Sequence, residues 1–189
     1  MRTSDRSVSE VVEYRVRSWL ARFVVDLNLC PFARPLVTSD ALRIVVCEAE
    51  QREAIAEAFV TELALISRAS ASDIATSLLV LPHALDDFDA YLDFIDDAEA
   101  LLAEMGLSGV IQLASFHPRY QFEGESPDSL GNFTNRAPYP LIHFLREDMV
   151  TTELETYANP ERIPQRNIET LTRMGRGEIE RLMQALDDS

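Results

Sequence analysis

Between Phe116 and Pro140 the chain reads FHPRYQFEGESPDSLGNFTNRAPYP, and this stretch carries a dense set of side chains able to bind or move charge. A connection of this length inside a compact domain is uncommon, and is either functional or disordered. Disordered segments are poor in aromatic residues. This one carries Phe116, Tyr120, Phe122, Phe133 and Tyr139, so it reads as an ordered site loop. His117 is its strongest single candidate, because an imidazole can act as general base, metal ligand or donor to an anion. The competing reading is a structural histidine at a strand end before Pro118. Arg119 and Arg136 can clamp one carboxylate or phosphate through the planar guanidinium fork, or pair with Glu123, Glu125 or Asp128 of the same loop. Asn132 and Asn135 flank Phe133-Thr134. Asparagine suits turns because it bonds its own backbone. Beyond that role, Asn132 is a candidate substrate contact and Asn135 a candidate for orienting substrate or a catalytic water. Tyr120 and Tyr139 add hydroxyls, with aromatic packing as the alternative.

Outside the loop, His143 lies in the apolar run Leu141–Leu145, where a lone histidine is more often a satisfied core residue than a ligand. Its nearness in sequence keeps it as a second ligand or proton relay. His83 follows Pro82 at the end of an apolar run, and in a parallel sheet it would share an edge with His117. Cys30 precedes Pro31-Phe32-Ala33-Arg34 at the end of a helical pattern. The negative end of a helix dipole disfavours thiolate, so Cys30 is nucleophilic only where Arg34, a histidine or a metal offsets that. Cys47 reads as packing.

Composition narrows the chemistry further. The formal charge is −15 over 189 residues, which argues against nucleic acid or an anionic membrane as the main partner, since both require basic patches. A small anionic molecule remains compatible, because a local arginine pair overrides the global field at short range. All 17 basic residues are arginine. Without lysine there is no Schiff-base or pyridoxal phosphate chemistry through an amine and no P-loop nucleotide site, and no GxGxxG fingerprint is present. Two cysteines do not make a disulfide framework, and the chain opens with no secretory signal pattern. The expectation is a single domain, residues 1–189, in a reducing cytoplasm.

These residues must be positioned by a scaffold. Ser7-x-x-Glu10 resembles a capping box, and Val12, Val16, Trp19, Leu20, Phe23, Val24 and Leu27 follow at helical spacing. Short strands are expected at 42–47, 75–81 and 109–116, with helices at 50–68 and 87–105, the latter closed by Gly106. Tyr139–Glu147 reads as a helix, Thr152-x-x-Glu155 as a second capping box, and 167–174 and 177–186 as further helices. The alternation predicts an α/β sandwich of three or two layers. It has a small, mostly parallel sheet and a helical C-terminal third. A ferredoxin-like sheet is the runner-up and requires a fourth strand from residues 119–123. The acidic runs around Asp86–Asp89 and Asp93–Glu99 read mainly as helix-dipole partners and solvated surface.

Taken together, LNLCPFARP, FHPRYQFEG, NFTNRAPYPLIHFLRE and PERIPQRNIETLTRMG resemble the bacterial domain-of-unknown-function family 1415. The resemblance implies a single-domain, cytosolic, bacterial protein. It places Cys30 and the loop in one signature and carries no catalytic role with it.

Three functional readings follow. In the first, a small-molecule enzyme acts on an anionic substrate: Cys30 or a water attacks, His117 moves protons, and Arg119 and Arg136 hold the anion. The second is a metalloenzyme, with His117, His143 and Glu123 (or Glu125, Asp128 or Cys30) as ligands for non-haem iron, copper or zinc. The third is a non-catalytic ligand- or protein-binding module.

Overall fold

A computed structural model describes residues 6–186. Ser7 starts helix α1 (Val8–Trp19) through a reciprocal cap: its hydroxyl accepts the Glu10 N–H, and the Glu10 carboxylate accepts the Ser7 N–H at 2.7 Å. Val12, Val16 and Trp19 form the buried stripe. The helix then widens into a π-helical turn, Leu20–Val25, with bonds from Asp26 N to Ala21 O (3.0 Å) and Leu29 N to Val24 O (2.9 Å). Asn28, in the left-handed region at φ 54°, ends it; asparagine tolerates that conformation better than most residues. A short helix α2 (Ala33–Val37) follows.

The centre of the molecule alternates β1 (Leu42–Val46), α3 (Arg52–Arg68), β2 (Thr76–Val80), α4 (Phe88–Glu104) and β3 (Ile111–Phe116). After the 116–140 connection come β4 (Leu141–Arg146), α5 (Glu147–Thr156), α6 (Ile163–Met174) and α7 (Arg176–Gln184). The C-terminal part is therefore helical, and the fold is mixed α/β.

The four strands form one mixed sheet in the order β1-β2-β4-β3. β1 and β2 pair in parallel, while β4 is antiparallel to both β2 and β3. β1, β2 and β3 thus share one direction, and β4 runs against them, inserted between β2 and β3. This corrects the reading of Tyr139–Glu147 as a helix. The reason is physical: Leu141, Ile142 and Phe144 are all fully buried, and a central strand covered on both faces loses the polar alternation that identifies a half-exposed one. The fourth strand therefore comes from 141–146, not from 119–123. Thr152, read as a cap, lies inside α5.

Side chains alternate between two apolar layers. Leu42, Leu78, Val80 and Leu141 face a cluster with Val12, Val16, Trp19, Phe23, Phe133, Leu171 and Ile179. Leu79, Leu81, Ile142 and Phe144 face Ile55, Phe59 and Leu63 of α3 and Tyr91, Phe94 and Ala98 of α4. Helices thus cover both faces of the sheet, giving three layers. Within the second layer Glu62 is buried and takes both oxygens to Arg43 Nε, at 2.9 and 3.1 Å, while Ser77 donates to it. That carboxylate is paired rather than orphaned, as burial requires. Among the described residues no helix is long and apolar enough to cross a membrane.

Candidate functional site

The shared direction of β2 and β3 brings their carboxyl ends to one edge of the sheet, where β4 begins. The β2–α4 turn, carrying His83, and the 116–140 loop both leave from this edge. In open α/β sheets ligands gather at strand carboxyl ends.

At the root of the loop Tyr91 fastens α4 to the sheet. Its hydroxyl donates to Leu141 O at 2.7 Å and accepts from Phe116 N at 3.0 Å, so it bridges the ends of β4 and β3. Burial raises the Tyr91 pKa, which keeps the phenol protonated for that donation. His117 comes next and exposes no surface. Its ring lies 5.1 Å from the rings of both Phe88 and Tyr91. Nδ1 accepts the Arg119 N–H at 3.0 Å, so the ring proton sits on Nε2, which donates to Leu85 O at 3.0 Å. Burial, the largest cause, lowers the His117 pKa, and the nearby Arg119 charge adds to it. The imidazole is therefore neutral at physiological pH with both nitrogens occupied. It ties the β2–α4 turn to the loop and holds Leu85 at φ 56°, a costly conformation for leucine.

Both asparagines are engaged in the same way. Asn132 is fully buried; its Oδ1 accepts Phe122 N at 3.1 Å and its Nδ2 donates to Ser126 O at 2.9 Å. Asn135 donates from Nδ2 to Ser115 O at 3.0 Å, and its backbone carbonyl accepts His117 N–H at 3.1 Å. Tyr120 packs between Phe88 and Phe122, with ring separations of 5.3 and 5.0 Å. Tyr139 turns toward α1, where Arg15 stacks on it at 5.1 Å and donates to its hydroxyl.

Arg119 and Arg136 line one cavity of about 430 Å³, together with Gln121, Pro127 and the first turn of α4 (Asp87, Phe88, Asp89). Arg119 Nη2 donates to Asp86 O and lies 3.3 Å from the Asp86 carboxylate. Arg136 donates from Nε to Tyr120 O and from Nη2 to Pro127 O, both at 3.1 Å, and stacks on Phe133 at 4.5 Å. Among the described residues, Arg119 Nε and Nη1 and Arg136 Nη1 make no hydrogen bond and remain as donors. Burial lowers the Arg136 pKa, and the neighbouring Arg176 guanidinium lowers it further. Basic groups crowd this corner of an acidic chain. The carboxylates expected to pair with them are distributed differently: Asp128 goes to Arg176 at 3.3 Å, and Asp86, from outside the loop, takes Arg119.

The ligand set His117, His143 and Glu123 is not assembled. His143 sits mid-strand, in register with Leu78 and Ala114, and its Nε2 lies 2.6 Å from Thr76 Oγ1. Glu123 is exposed on the loop. Among the described residues no three His, Cys, Asp or Glu side chains gather as a metal-ligand group. Cys30 stands apart as well. Its surroundings are the Phe32 and Ala33 N–H groups, Arg166 and Glu153. Burial raises its thiol pKa more than those N–H groups and Arg166 lower it. Among the described residues no side-chain hydrogen bond or ion pair joins Cys30 to the 116–140 loop.

The sequence reading missed Leu85, Asp86 and the hydroxyl of Tyr91 as parts of this site. Tyr91 showed only as an inward position of an amphipathic helix. A tyrosine in an otherwise aliphatic and phenylalanine stripe was the available signal, since a buried hydroxyl requires a partner.

Residues 11–181 match the family described as Protein of unknown function (DUF1415), and the chain belongs to that family. No curated protein and no solved structure matches it.

Proposed function

We propose that this protein binds a small anionic molecule in the cavity between the 116–140 loop and the start of α4, with Arg119 and Arg136 as its donors. The observation that carries this reading is the pair of guanidinium groups lining one cavity of about 430 Å³, Arg119 held by the backbone carbonyl and carboxylate of Asp86 and Arg136 by two backbone carbonyls, each with donors left over among the described residues. Backbone-anchored arginines are preorganised, so little side-chain freedom is lost on binding. The exposed Asp89 opposes an anion and moderates its affinity. The reading is of a binding module first. His117 is enclosed and acts as a positioning residue, and the Cys30 thiol is disfavoured as thiolate, so neither supports nucleophilic attack at this cavity. The strongly acidic surface supports a small molecule over nucleic acid or an anionic membrane as the partner. The two unbridged thiols fit the expected reducing, cytoplasmic setting of a bacterial protein.

The test is calorimetric titration of the full chain with inorganic phosphate, pyrophosphate and succinate at matched ionic strength. At least one probe binds, and Arg119→Gln weakens it about tenfold or more, the cost of a lost charge-assisted bond. Asp89→Asn strengthens it. Failure of all three probes, or equal binding by Arg119→Gln, removes the proposal.

A further inference from the structure

The segments LNLCPFARP and PERIPQRNIETLTRMG take no part in the loop cavity. They meet around a second one, of about 500 Å³, between the turn that follows the π-helix and the outer face of α6. Consecutive α6 residues fix that turn. Arg166 donates from Nη2 to Asn28 O at 2.8 Å and from Nη1 to Tyr157 Oη at 2.6 Å, and Asn167 donates to Leu29 O at 2.7 Å. The wall is therefore held open by hydrogen bonds rather than by chance packing.

Arg166, Thr170 and Arg173 line the cavity from one stripe of α6, at spacings of four and three residues. Asp26 and Glu178 face it from the turn and from α7, and Leu27 and Met174 supply apolar surface. Both signs of charge thus line a single space. Among the described residues, however, no carboxylate oxygen lies within 4.0 Å of the Arg173 guanidinium, and the side chains of Asp26, Thr170 and Glu178 make no hydrogen bond. A pure anion here meets two carboxylates, and a pure cation meets two guanidinium groups. A molecule carrying both charges satisfies all of them.

We infer that this second cavity binds a small zwitterion of the amino-acid class. Its carboxylate lies toward Arg173 and Thr170, its ammonium toward Asp26 and Glu178, and an apolar side chain against Leu27 and Met174. The site is independent of the loop cavity and takes a different ligand chemistry.

The experiment is calorimetric titration of the full chain with L-leucine, 4-methylpentanoate, which lacks the ammonium, and 3-methylbutylamine, which lacks the carboxylate. L-leucine binds saturably at one site per chain, and each singly charged analogue binds about tenfold or more weakly, as expected for loss of one charge-assisted contact. Arg173→Gln and Glu178→Gln weaken L-leucine by a similar factor, while Arg119→Gln leaves it unchanged. Arg173 and Glu178 are exposed, so both variants keep the fold, which a circular-dichroism melt verifies. Absence of L-leucine binding overturns the inference. So does equal affinity for 4-methylpentanoate, unchanged binding in Arg173→Gln, or loss in Arg119→Gln, which would assign the ligand to the loop cavity instead.

Discussion

The 116–140 loop and the turn at 26–30 are ordered by opposite means. The loop is largely tied by its own polar side chains: Asn132, Asn135 and Arg136 all bond to backbone within residues 115–136, and His117 adds one link outward to Leu85. The turn is tied from a distance, by Arg166 and Asn167 of α6, 138 residues away in sequence. The lesson concerns what a polar residue in a connection is for. In the loop, His117, Asn132 and Asn135 bond to backbone and do not line the cavity, whereas Arg119 and Arg136 both bond to backbone and line it. In the turn, the holding groups sit on the helix: Arg166 both holds and lines, while among the described residues the side chains of Asp26, Arg173 and Glu178 line the second cavity without a hydrogen bond or ion pair.

The contrast breaks most sharply at His117. His117→Ala removes two hydrogen bonds and a buried ring, so it should cost about 3 kcal/mol or more. Hydrogen exchange should accelerate in 82–87 and 117–136 while 26–30 and α6 keep their protection. Uniform loss across both regions would mean that the loop is not ordered independently of the turn.

Acid provides the second test. His143 is held neutral, its pKa pushed down to about 4 by burial, and that of His117 is lowered too. The unfolded chain therefore takes up these protons first. The contribution of His143 is complete above about pH 6.5, declines as the pH falls, and is exhausted near pH 4, where it protonates within the fold; that of His117 declines in the same direction. For His143 the fall amounts to about 3 kcal/mol at most. Urea unfolding between pH 7 and pH 4 should show it, and His143→Gln, which keeps a donor for Thr76, should flatten the curve. An unchanged slope in that variant would place the acid sensitivity elsewhere.

The smallest effects sharpen the comparison. Asn132→Ala leaves Phe122 N–H and Ser126 O without their buried partner and should cost about 2 kcal/mol; Asn167→Ala removes a single donor and should cost about 1 kcal/mol. Each should raise hydrogen exchange only in its own region.

Much of the scaffold was legible in the sequence. Helices α1, α3 and α4 and strands β1 to β3 follow from apolar spacing, and Gly106, at φ 72°, ends α4 as a helix-closing glycine should. The fourth strand was not legible, because LIHFLR is buried on both faces and runs straight into α5 without a turn residue to separate them. The π-helical turn left no trace either, since Leu20–Val25 presents the same apolar residues that an α-helix would. In the site, the loop's place and order could be read, because aromatic residues amid turn formers have little other use. The roles could not. Whether an imidazole reacts or braces depends on what lies on its two nitrogens, and His117 finds Leu85 and Arg119 there only through the tertiary fold.

The insertion of β4 between β2 and β3 has a consequence for how the chain comes to be folded at all. During synthesis β2 and β3 emerge with no ladder to share, and the strand that joins them is complete only at Arg146. Until then the sheet has an open middle, and apolar surface meant for β4 faces water or other chains. Closure then depends on contacts distant in sequence, which form slowly. A ribosome-bound chain arrested before Leu141 should accordingly be a stronger client for chaperones than one in which Leu141–Arg146 has left the exit tunnel.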